Sequence, residues 1–214
     1  VQKPKVEQYI GSYYTQTELN TLFEKSKGDP LEVIILVTAF YGLRRSEVLG
    51  LKWDSFDFEN LTFTIKHTVT VTNTEGNNRK IECKDKTKNK SSYRSLPLLD
   101  DIADKLLELK EKQEAFKKAF GKTYNKQYLD YVFVNPQGRL IRPDYISEHF
   151  SILLNKIGMK HIRFHDLRHS CASLLLAKGI PMKAIQEGLG HSKFSTTANL
   201  YAHFDITSKK LSAC

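Results

Sequence analysis

The chain has no apolar run long enough to cross a membrane. The longest, Val33 to Leu43, falls well short of the roughly 20 residues a bilayer-spanning helix needs, and no signal peptide precedes it. The sequence therefore reads as soluble and cytoplasmic. Cysteine is scarce: Cys83, Cys171 and Cys214 lie far apart, with no CxxC spacing. That excludes a disulfide scaffold and a zinc ribbon, and it suits a reduced protein with Cys171 buried. There is no internal repeat, no P-loop and no acidic metal cluster. Acidic residues are the minority charge. Lys and Arg number 33 against 24 Asp and Glu, a formal +9, which favours a polyanionic partner.

What remains is a chain of 214 residues, 40% apolar and 27% charged, enough for one well-packed domain. Residues 1–13 are polar, carry Pro4 and Gly11 and lack periodicity, so they read as a linker from an upstream domain. The folded unit is expected over 14–214. Thr15 with Glu18 three positions on is a capping-box signature for a first helix. A second helix starts near Pro30; it is apolar nearly all round, hence buried, and stops at Gly42. A third runs from Arg45 to Leu51.

From Asn60 to Leu98 the texture changes to alternation rich in Thr and Val. LTFTIKHTVTVT, RKIECK and YRSLPL are expected as three strands of one small antiparallel sheet, with basic residues in the turn before the third. A charged helix follows over 100–120, then a short extended piece at 131–134. Helices are expected near 143–157, 165–178 and 181–189, with a last one around Tyr201. The fold class is mostly α with a small antiparallel sheet.

Four stretches carry candidate chemistry. In Phe164–His169 (FHDLRH), helical spacing puts His165, Arg168 and His169 on one face. Two histidines four apart invite a zinc reading, but Asp166 is shorter than the Glu such sites use, and Arg168 would repel a dication. The same face suits a phosphodiester, since guanidinium matches phosphate oxygens in a fork; helix capping is the bland alternative. In Gly42–Glu47 (GLRRSE), Arg44 follows a glycine break between a buried and a shorter helix, and Glu47 can orient its guanidinium; here the bland alternative is a surface ion pair. The turn Lys84–Lys90 (KDKTKNK) is a solvated loop or a lysine poised to enter a groove. Finally Gly190-His191 is followed by Tyr201 and His203; ten tyrosines in the chain leave residue chemistry alone unable to choose among them.

In order and wording these pieces resemble the tyrosine recombinases, in particular the integrases of phages and conjugative transposons. AFYGLRRSEVLGLKWDSFDF (39–58) is similar to the family's first-arginine box, TKNKSSYRSLPL (87–98) to its lysine hairpin, and FHDLRHSCASLLLAKGIPMKAIQEGLGHSKFSTTANLYAH (164–203) to its second box. The resemblance implies a recombinase or type IB topoisomerase-like catalytic domain. It implies Arg44 and Arg168 as catalytic arginines, His165 as proton acceptor, His191 as the later histidine and Tyr201 as nucleophile. Lys88 keeps the family's spacing to Tyr93-Arg94 and Pro97 and is the expected general acid; Lys86, directly before Thr87, is the alternative. Arg45, Lys84, Lys86, Lys90 and Arg94 are expected to contact DNA.

By the same resemblance, the activity is site-specific cleavage and rejoining of DNA through a 3′-phosphotyrosyl link, for integration and excision of a mobile element. The expected partners are double-stranded DNA, other copies in a tetramer on that DNA, and an accessory directionality factor. No cofactor and no membrane are implied. The setting would be the bacterial cytoplasm, in association with the nucleoid.

Overall fold

A computed structural model describes residues 12–74, 78–85 and 93–190 of the chain. Seven α-helices and five strands are found among them: α1 Gln16–Lys25, α2 Glu32–Tyr41, α3 Arg45–Leu49, β1 Phe56–Asp57, β2 Thr62–Ile65, β3 His67–Thr74, β4 Asn78–Asp85, β5 Arg94–Pro97, α4 Asp100–Phe120, α5 Pro143–Lys156, α6 Asp166–Ala177 and α7 Met182–Leu189. The capping box at α1 is present: the Glu18 carboxylate accepts from Thr15 N (2.7 Å), and Thr15 Oγ1 accepts from Glu18 N (3.3 Å).

Helix α2 is the hub, as its all-round apolarity predicts. Ile34, Ile35, Val37 and Ala39 are buried, and the helix packs against α1, α4 and α6. Burial of each large side chain contributes about 1.5–3 kcal/mol. Gly42 ends α2 in the left-handed region, at φ +59°. A methyl there would also lie 2.2 Å from Leu189 Cδ2, so the turn is pressed against the end of α7. Cys171 on α6 is buried, and burial pushes its thiol up to about 12.

The β region departs from the expected single sheet. β2 pairs antiparallel with β1 and with β5, Ile65 facing Arg94. β3 pairs antiparallel with β4 as a separate ladder, His67 facing Asp85. The segment expected as one strand therefore changes partner at Lys66. Its inward alternation does not change: Phe63, Ile65, His67 and Val69 are all buried. Residues 86–92, which lie outside the described ones, connect the two partners. The piece at 131–134 bridges Lys52 and Leu140 rather than joining either ladder. Tyr131 holds the β3 end in place, its hydroxyl 2.8 Å from His67 Nε2, while His67 Nδ1 lies 2.5 Å from Asp85 Oδ1.

The end of α3 meets β3 at close quarters. A Cβ on Gly50 would stand 2.5 Å from His67 O and 2.7 Å from Thr68 Cα, both backbone atoms that cannot rotate away. Gly50→Ala should therefore cost about 1–3 kcal/mol, the usual penalty for overpacking. Urea unfolding checks this; an unchanged midpoint contradicts it.

Candidate active site

The site is assembled where α2, β5, α6 and α7 meet. Arg44 follows the α2–α3 turn at the N-cap of α3, with an extended backbone (φ −71°, ψ 150°). Its Nη1 donates to Glu47 Oε1 at 2.8 Å, and its backbone N donates to Glu47 Oε2 at 2.9 Å. The expected orienting role of Glu47 is thus seen in the contacts. The Arg44 side chain keeps 35% of its surface open, whereas that of Glu47 is fully buried.

Arg168 sits in the first turn of α6, only 3% exposed, behind Arg44. Its Nη1 donates to Gly42 O at 2.6 Å and its Nη2 to Leu189 O at 2.8 Å. Burial, first, and the neighbouring Arg44 cation lower its pKa to about 9, which leaves it charged at neutral pH.

The carbonyls at the C-terminus of α7 draw the arginines together. Arg94 Nε donates to Gly188 O at 2.6 Å, Arg168 Nη2 to Leu189 O at 2.8 Å, and Arg44 Nη2 to Gly190 O at 2.8 Å. A helix C-terminus leaves its last carbonyls without intrahelical donors and carries partial negative charge. Three cations capping three successive carbonyls satisfy both needs. They also fix the point from which the chain continues to His191.

His165 stands at the start of α6 with its outer edge exposed. Its ring lies edge-on to His169, 5.3 Å between centroids. Protein packed round the ring desolvates it, and His169 and Arg168 add like charge; together they lower its pKa to about 4. His165 is therefore neutral at neutral pH. The face predicted from spacing is present, though Arg168 turns inward while the two histidines stay near the rim. Asp166 is fully buried and taken up by Arg163, which donates from its backbone N (2.9 Å), Nε (3.1 Å) and Nη2 (2.9 Å). A carboxylate so engaged is not available as a zinc ligand or as the base of a zinc site.

A cleft of about 830 Å³ opens beside Arg44 and His165, between β3, α5 and the segment before α6. Arg45, Arg79 and Arg163 line it, with Asp144 as its acidic member. Arg45 reaches Ser147 Oγ on α5, and Arg79 pairs with Asp144 at 3.0 Å. Lys84 is exposed and paired with Glu82 at 2.7 Å. Arg94, expected to contact DNA, is instead bound to Glu47 with its side chain only 8% exposed, so little of it is open to a duplex. Lys86, Lys88, Lys90, His191 and Tyr201 lie outside the described residues. Sequence reasoning missed the carbonyl collar, because it is backbone. The inward turn of Arg94 had a signal, since it shares strand parity with Leu96 and the buried Leu98.

The low pKa of His165 has a measurable consequence. As pH falls from the ordinary 6.5 of a free imidazole towards about 4, the unfolded chain binds a proton that the folded ring refuses. The ring's contribution to stability is thus present above pH 6.5 and lost across that window. His165→Gln should flatten the fall of melting temperature between pH 6.5 and 4. An identical slope in variant and wild type would contradict the assignment.

The profile described as "Phage integrase family" matches residues 13–207. The chain is 32% identical over 203 residues to a "Tyrosine recombinase XerC-like" protein of Caldanaerobacter subterraneus subsp. tengcongensis, covering 93% of this chain and 52% of that one. It is 29% identical over 180 residues to the integrase of Staphylococcus phage L54a, covering 78% and 46% respectively. The chain thus spans about half the length of these curated relatives. Its fold matches that of the Tn1549 transposon integrase solved in complex with transposon right end DNA, at TM-score 0.75 and 21% identity over 98% of this chain and 68% of that one. The architecture is that of a tyrosine recombinase catalytic domain, and the chain belongs to the phage integrase family.

Proposed function

We propose that residues 14–214 are the catalytic unit of a site-specific DNA recombinase. It cleaves and rejoins DNA through a 3′-phosphotyrosyl bond at Tyr201, for integration and excision of a mobile element. The observation that carries this reading is the gathering of Arg44 and Arg168 at the end of α7, directly before His191, which precedes Tyr201 by ten residues. Two cationic groups with spare N–H donors, set by a basic cleft, suit the non-bridging oxygens of one phosphodiester.

The chemistry follows from charge. Attack by Tyr201 on phosphorus builds negative charge on those oxygens. Preorganised arginines stabilise it, and loss of one such donor costs about 3 kcal/mol. Arg44, the more open of the pair, reaches the phosphate; Arg168 holds the positive potential behind it and retains a second N–H on each Nη. His165, neutral at working pH, takes the tyrosine proton. His191 adds a hydrogen bond to the phosphorane. Lys88, or Lys86 in its place, gives a proton to the departing 5′-oxygen. The link stores the energy of the broken bond, so a second 5′-hydroxyl reseals the strand without ATP or metal.

The partner is double-stranded DNA, in keeping with the DNA-bound Tn1549 integrase. Arg45, Lys84, Lys86 and Lys90 are the proposed phosphate contacts, so affinity should fall steeply with salt. Assembly as a tetramer on DNA, an accessory directionality factor and a place in the bacterial cytoplasm at the nucleoid belong to the same reading. Among the described residues no helix is long and apolar enough to cross a membrane.

Covalent capture tests the reading. The chain is incubated with nicked duplexes randomised around the nick, denatured in SDS, and its linked strands are sequenced. The expected result is an enriched site joined to the protein at Tyr201, with no adduct from Tyr201→Phe. An adduct that survives Tyr201→Phe, or binding with no adduct at all, contradicts the proposal.

A further inference from the structure

The strand that leaves residues 86–92 brings into the site a cation that the reaction scheme does not use. We infer that Arg94 is a positioning residue: by taking up the Glu47 carboxylate, it keeps the charge of Arg44 available to the phosphate. This deepens the recombinase reading and rests on it.

Charge is balanced here in a closed space. Glu47 has no exposed side-chain surface, so water does not screen it. It receives Arg44 through Nη1 at 2.8 Å and the backbone N at 2.9 Å. A buried carboxylate paired one-to-one with a guanidinium cancels most of the potential that guanidinium offers to a third group. Arg94 changes the ratio. Its Nη2 lies 3.1 Å from Glu47 Oε2 and its Nη1 3.3 Å from Oε1, while Nε is fixed by Gly188 O at 2.6 Å. All three guanidinium nitrogens are thus directed into the protein, and the side chain is 8% exposed. Such a residue does not itself contact a duplex.

With Arg94 in place, Glu47 still orients Arg44, but its charge is shared between two cations. Arg94 is held by the pairing of β5 with β2, where it faces Ile65. It therefore also ties β5, through Glu47, to the arginine that binds phosphate.

An ordinary buried ion pair predicts something different from charge sharing, and a double variant separates them. Arg94→Met removes the charge and keeps the bulk. Adding Glu47→Gln removes the carboxylate charge while leaving an oxygen for Arg44. The probes are the nicked duplex captured by wild type, for the rate of adduct formation and for affinity, and thermal melting at pH 7 without DNA.

Arg94→Met should slow adduct formation on the order of 100-fold, the scale of one lost charge-stabilising donor. Its affinity for the duplex should stay within about threefold, because phosphate contacts elsewhere supply the binding. Arg94→Lys, which keeps charge but not the fork, should fall between Arg94→Met and wild type. The double variant should regain about tenfold over Arg94→Met, and most of the melting temperature that Arg94→Met loses. If the double variant is as slow as Arg94→Met, Arg94 is a structural pair only and the inference fails, even if the double variant melts higher, since any buried ion pair regains stability when both charges are removed. If wild type forms no adduct, the recombinase reading fails, and the melting comparison alone decides the charge relation between Arg94 and Glu47.

Discussion

A carboxylate with no access to solvent, Glu47, and three arginines share one small volume at the end of α7. Three cations packed beside one anion would repel one another strongly in a medium of low dielectric. Two features offset that repulsion. Glu47 binds two of the guanidinium groups, and the C-terminal carbonyls of α7, the negative end of a helix dipole, accept from all three. The surplus positive charge is left facing the cleft through Arg44, the most open of the set. An anion in that cleft would complete the balance.

The fold serves this arrangement at each approach. Gly42 allows α2 to stop abruptly in a left-handed turn, and its missing side chain lets Leu189 close in. The same turn exposes the Gly42 carbonyl to Arg168, so the two arginine boxes are joined by a direct hydrogen bond between residues 126 apart in sequence. Gly50 permits α3 to lie against β3, which sets Arg44 beside one wall of the cleft. The Arg163–Asp166 clamp steadies the start of α6, where His165 and Arg168 leave in different directions.

Much of this was legible in the residues, for identifiable reasons. The capping box of α1, the apolar α2, the glycine stops and the charged α4 follow local rules that tertiary packing did not override. The pairing of Arg44 with Glu47 followed from their spacing on one helical turn. The change of partner at Lys66 was not legible, because burial alternates without a break from Phe63 to Val69 and only the hydrogen-bonding neighbour changes. Arg94 was read by its charge as a surface contact, although its parity with Leu96 and Leu98 pointed inward. The carbonyl collar at 188–190 could not be read from side chains, since its acceptors are backbone atoms. Lys88, His191 and Tyr201 rest on the family resemblance alone.

The central claim is that Arg44 works by stabilising charge on a single phosphate. Replacing one non-bridging oxygen of the scissile phosphate with methyl removes the charge that Arg44 would neutralise and leaves the leaving group unchanged. Adduct formation by Arg44→Ala should be compared with wild type on the phosphate and on the methylphosphonate. The account predicts a deficit of about 100-fold or more on the phosphate that shrinks to less than about tenfold on the neutral analogue. An equal deficit on both substrates would mean that Arg44 holds the fold rather than the transition state, and would contradict the account.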